Sequence, residues 1–238
     1  MQGSKTTPPR QPGFALADLL LSVAAMGLIL AAAMPLLARQ GDELAAKSIA
    51  DDLRLFRLGA EEHFRSNRAA YEAAMADGTG GGQLCRLGIN PVDGSGGLQA
   101  YSTVLHTCAV DGTQLSYLGA LPPELRPRNA YSESWVAIHR LVDAGGTASA
   151  GVETLFVSAA VTSGGAAVPA DARRWQIARS AATQLERGGG AVPDTDRSTC
   201  VARRVMSTYQ ACGDGWKADL AQFVNAAELG QFSNRLPN

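Results

Sequence analysis

Residues 14–38 read FALADLLLSVAAMGLILAAAMPLLA, 25 positions with a single charge, Asp18. As a helix rising about 1.5 Å per residue this run extends about 37 Å, enough to cross a hydrocarbon layer about 30 Å thick. Before it stands MQGSKTTPPRQPG, a polar stretch whose only charges are Lys5 and Arg10. Positive charge ahead of an apolar span stays on the cytoplasmic side, so the rest of the chain is expected outside the cytoplasm.

A secretory signal has a shorter apolar core followed by a small-residue cleavage site. Ala31–Ala33 mimics such a site, but the run is too long for it. A plain signal anchor accounts for the length. Neither accounts for Gly13 directly before Phe14, for a carboxylate four residues further on at Asp18, or for Pro35 inside the run. Glycine leaves a peptidase room to reach the backbone. Cleavage after Gly13 would create a charged α-amine on Phe14, which is costly near an apolar layer unless paired. Asp18 of a neighbouring copy can neutralise it. Unpaired, that carboxylate costs up to about 3 kcal/mol at mid-bilayer and less near the edge. Pro35 removes a helical hydrogen bond, so a kink or local melting is expected there. Taken singly, Asp18 reads as a snorkelling acid and Pro35 as a helix-end proline.

Their joint spacing resembles the type IV pilin signature: a basic leader ending in Gly, then Phe as first mature residue, an acid as the fifth and often a proline as the twenty-second. Counted from Phe14, the fifth residue is Asp18 and the twenty-second is Pro35. The family usually has Glu at the fifth position, so Asp18 keeps the charge with one methylene less. The resemblance implies cleavage between Gly13 and Phe14 by a prepilin peptidase and N-methylation of Phe14. It also implies assembly with other pilin subunits through Asp18 and Pro35. The subunit would sit in the inner membrane first and in an extracellular pilus later.

Further along, LPPELRPRN, WVAIHRLV, VETLFVSAAVTSGG, ARRWQIARSAATQLERGGGAVP and GDGWKADLAQF are similar, in this order, to the constant region of shufflon-type minor pilins, the PilV family of thin conjugative pili. That resemblance implies a minor pilin at or near a pilus tip, in contact with the recipient-cell surface. In that family a variable C-terminal segment supplies adhesive specificity. This chain stops at Asn238 soon after the similar stretch, so a structural or priming role is expected over direct adhesion. A type II secretion pseudopilin shares the leader and helix and is the alternative.

The expected fold class is α+β: a long N-terminal helix followed by a globular domain with an antiparallel sheet. The expected divisions are a leader, 1–13, a transmembrane and amphipathic helix, 14–67, and an extracytoplasmic domain, 68–238. Beyond the apolar run, Ile49, Leu53, Phe56, Ala60 and Phe64 recur at helical spacing on one face. One helix is therefore expected from about Phe14 to about Arg65, with Gly59 as its weak point. The amphipathic half needs a sheet to cover it. Residues 76–99 read as a Gly-rich loop zone. Residues 101–110 and 114–118 read as strands joined by an Asp111-Gly112 turn. The best strands are 135–142 and 152–160, linked through Gly145-Gly146. On the first, Trp135, Ala137, His139 and Leu141 share one side, and Val136, Ile138, Arg140 and Val142 the other. Residues 171–186 read as a helix that buries Trp175, Ile177, Ala178, Ala181 and Leu185 against the sheet. A strand at 201–206 and an apolar segment at 216–224 follow.

The four cysteines form no CxxC and suit no zinc site. An even count beyond a membrane segment fits disulfides in an oxidising compartment. Neighbour pairing gives Cys85–Cys108 and Cys200–Cys212, one of three connectivities, each contributing about 3 kcal/mol. Four buried free thiols are the alternative.

Several functions find no support. The net charge is −1 and no Lys/Arg block occurs, so nucleic acid is not an expected partner. Losing Lys5 and Arg10 takes the 21 basic side chains to 19 against 22 acidic ones, a charge of −3. DGTGGGQ lacks the Lys-Ser/Thr of a phosphate loop. A membrane-anchored enzyme would need a nucleophile and a base. Ser132, Ser134 and Ser158 lie in no GxSxG, and Cys108 with His106 or His139 would need a free thiol. Asp51-Asp52 and Glu61-Glu62 read as a solvated helix face. His139 reads as a structural or an exposed strand histidine and not a ligand. No catalytic residue, metal or cofactor is expected.

Overall fold

Helix α1 runs from Pro12 to Ser66, 55 residues, close to the expected extent. The computed structural model describes residues 12–129, 133–142, 151–159, 172–185, 189–191, 210–213 and 216–223. The chain divides into two compact units, Met1–Leu44 and Ala45–Asn238, so the division falls within α1. The helix continues through Pro35, without the local melting that was one of the two expectations there. Proline withholds one N–H from the ladder, and the turns on either side keep theirs.

The second unit has an α+β fold. After α1 come α2 (Arg68–Ala76), α3 (Gly81–Leu84), β1 (Arg86–Ile89), β2 (Gly96–Gln99), β3 (Tyr101–Ser102) and β4 (Thr107–Asp111). Then follow α4 (Gly112–Tyr117), β5 (Ser134–Val142), β6 (Gly151–Ala159) and α5 (Ala172–Gln184). The described part closes with β7 (Gly190–Ala191), β8 (Gln210–Gly213), β9 (Trp216–Asp219) and a short 3-10 turn, Leu220–Gln222.

The central sheet is antiparallel with order β3-β4-β5-β6. Strand β5 pairs with β6 from Ser134 opposite Ala159 to Val142 opposite Gly151, and with β4 through Cys108 opposite His139. Both expected strands are present within a residue of their expected ends. The expected alternation along β5 holds too. Trp135 and Ala137 face a core built with Phe56 and Ala60 of α1, and Leu141, Ile49, Leu53 and Phe64 flank it. Val136 and Ile138 face a second core with Leu87, Ala211, Leu220 and Phe223. A strand covered on both faces must be apolar on both, which explains the unbroken WVAI. Burying a side chain the size of Phe56 contributes about 1.5–3 kcal/mol.

Four local expectations are corrected. The Asp111-Gly112 pair makes no hairpin turn. Asp111 Oδ1 instead accepts from the backbone N–H groups of Thr113, at 3.1 Å, and Gln114, at 3.0 Å, and so N-caps α4 where a strand was expected. The expected strand 101–110 is two short strands separated by a turn, with His106 at φ 52°. The Gly-rich zone 76–99 holds α3 and the β1–β2 hairpin, with a tip closed by Asn90 Oδ1 and Asp93 Oδ1 accepting from Val92 and Ser95. Helix α5 buries Ile177 and Ala181 against Ala46 and Ala50 of α1 where packing on the sheet was expected. Arg54 donates to the Gln184 carbonyl at the same seam. Trp175, Gly145-Gly146 and the strand at 201–206 lie outside the described side chains or residues. The segment at 216–224 supplies β9 and the 3-10 turn.

Candidate functional site

The apolar half of α1 is the feature with the clearest chemical consequence. Along it the large side chains from Leu19 to Leu37 are 58–74% exposed. Water does not tolerate so long an uncovered apolar rod, so it requires another apolar environment. The helix is long and apolar enough to cross a membrane.

Asp18 lies on the exposed surface of this half, and Ser22 Oγ donates back to its main-chain carbonyl at 2.7 Å. No described residue pairs with its carboxylate. Gly13 and Phe14 lie in the first turn of α1, and Pro35 is 17 residues beyond Asp18 on the same helix. The four residues expected to act together are therefore carried on one continuous α-helix.

In the second unit, Cys85 and Cys108 form a disulfide with Cα atoms 5.3 Å apart. It joins the end of α3 to β4, and both residues are fully buried in the helix-side core. Cys212 is disulfide-bonded, while Cys200 lies outside the described residues. With its sulfur oxidised, Cys108 is not a thiol nucleophile for His106 or His139. Of the serines considered, Ser132 lies outside the described residues and Ser134 is buried, with no partner for its hydroxyl among the described residues. Ser158 Oγ donates to Glu133 Oε2 at 2.9 Å.

Two groups of buried polar residues escaped sequence reasoning. Asn129, Glu133 and Ser158 form a network in which Asn129 Nδ2 donates to Glu133 Oε2 at 2.6 Å. In sequence, Glu133 stands in a polar SES stretch and gives no sign of burial. The second group surrounds His139, which is buried in β5 and so structural, as one of the expected alternatives had it. His139 stacks on Phe64 at 4.5 Å between ring centres, and Tyr71 meets it edge-on at 4.9 Å. Tyr71 also meets His63 edge-on at 5.9 Å. The separation of these residues in sequence hides the cluster.

No family model, curated protein or solved structure matches the chain.

Proposed function

We propose that the chain is a structural pilin-like subunit, a minor pilin of a type IVb or conjugative-type pilus. In this reading a prepilin peptidase cuts between Gly13 and Phe14, the new Phe14 amine is methylated, and the subunit assembles through α1. The carrying observation is a membrane-length helix with an uncovered apolar half and a carboxylate, Asp18, set within it. An anchor alone has no use for that acid, whereas a subunit that must present a buried charge to a neighbour's terminal amine does. Pairing the two charges gives one register of contact between copies and penalises others.

The amphipathic half of α1 supports the same reading. Its Phe56 face is buried on the sheet of the second unit, so the helix is built into that unit as well as being an anchor. Contact with a recipient-cell surface belongs to this proposal only through the similarity to tip-located minor pilins.

The test is Asp18→Asn, made alongside wild type in cells that assemble the fibre. The variant is expected in the membrane at wild-type level but depleted at least about tenfold from sheared fibres, as expected for loss of a desolvated charge pair worth ~1.4 kcal/mol or more. Equal incorporation of the variant would contradict the role given to Asp18.

A further inference from the structure

The three histidines of the chain all border α2, although they come from α1, the β3–β4 turn and β5. His106 Nδ1 lies 3.0 Å from the Met75 carbonyl at the end of α2. A carbonyl oxygen can only accept, so Nδ1 is the donor in this contact. The other two differ. His139 is 1% exposed; its Nδ1 lies 2.9 Å from Thr154 Oγ1, and its Nε2 has no partner among the described residues. His63 Nδ1 lies 3.3 Å from Asn67 Nδ2, and its Nε2 is also buried without a partner among those residues. Between them stands Tyr71 of α2, whose buried hydroxyl likewise has no partner among the described residues.

A neutral imidazole tolerates this setting as a stacked ring. An imidazolium does not, because it adds a second N–H donor and a full charge where neither is accepted. Among the described residues, His63 and Phe64 from α1, Tyr71 from α2, Thr154 from β6 and Cys108 opposite on β4 bring no carboxylate to the rings. The nearby acids of these elements are engaged in solvent-accessible ion pairs: Glu61 with Arg57, Glu62 with Arg65, Glu72 with Arg68 and Glu153 with Arg140.

We propose that this cluster is an acid-sensitive latch on α2, closed while His63 and His139 are neutral and opened, with release of Tyr71 and Met75 from the core, when they take up protons. Burial, with the neighbouring His63 adding to it, holds His139 at about 3, well under the ordinary 6.5, and burial alone lowers His63. The opened form therefore binds more protons than the closed form once the pH falls below about 6.5. For His139 the closed form loses ground from there down to about 3, by up to about tenfold in the opening equilibrium per pH unit and per proton. Above about 6.5 the latch is insensitive to pH.

Hydrogen exchange of the full chain in detergent micelles, corrected for intrinsic rates, tests this between pH 7.5 and 4. Residues 68–76 are expected to lose protection reversibly by at least about tenfold at pH 4, while the β1–β2 hairpin keeps its own. His63→Gln combined with His139→Leu should abolish that loss. Should the double variant not fold, imidazole NMR of the wild type decides: the His139 midpoint must coincide with opening of α2. Protection of 68–76 unchanged at pH 4, equal loss in a folded double variant, or His139 titrating near 6.5 with α2 closed would each overturn the latch.

Discussion

At Gly59 two residue-level effects oppose each other. In a bare helix its replacement by alanine stabilises by about 1 kcal/mol. Here a Cβ at position 59 would lie 2.7 Å from the Ala120 carbonyl oxygen and 2.7 Å from Leu121 Cδ2. Backbone cannot yield as a side-chain tip can, so close approach prevails. Gly59→Ala is expected to destabilise the folded unit by about 1–3 kcal/mol, read as a lower thermal midpoint; a higher midpoint would show that only helix propensity matters there. Asp111 is the second such residue. Its carboxylate accepts from Thr113 N, Thr113 Oγ1, Gln114 N and, across to β1, Gly88 N at 2.8 Å. Burial pushes this carboxyl up, and those four donors oppose the shift. Asp111→Ala strands buried donors as well as removing a cap, so a loss of about 3 kcal/mol is expected in urea unfolding. A change under about 0.5 kcal/mol would reduce Asp111 to an ordinary turn residue.

At the scale of elements, periodicity was legible and local turn chemistry was not. Five apolar positions at helical spacing located the buried face of α1, and alternation along WVAIHRLV assigned both sides of β5. These signals survive because burial imposes a long repeat on the sequence. Asp-Gly carries no such repeat. The same pair suits a hairpin turn or a helix N-cap, and the donors of Thr113 and Gln114 decide it here. Helix α5 was legible as a helix, but the small Ala46 and Ala50 against which it packs give no sequence sign of their partner. Pairing of Cys85 with Cys108 followed from adjacency and an even count, and the bridge closes a sequence separation of 23. Replacing both cysteines by alanine is expected to cost about 3 kcal/mol, by entropy of the unfolded chain. The measurement is the shift in denaturant midpoint against wild type; an unchanged midpoint would remove the bridge from the account of stability.

For the whole molecule, a single helix serves two solvents. Its first half exposes leucines that water disfavours, and its second half buries Phe56 and Ala60 in the core of an α+β unit. The proposed assembly role rests on spacing along one helix: Phe14, an acid four residues later and a proline seventeen beyond that. The histidine cluster was not legible, since only folding brings residues 63, 71 and 139 together. The central claim concerns the terminus that the acid is meant to meet, so intact-mass and N-terminal peptide analysis of the protein recovered from its own cells tests it most directly. A chain beginning at N-methylated Phe14 is the predicted result. A chain still beginning at Met1, or one cut after Ala33, would contradict it.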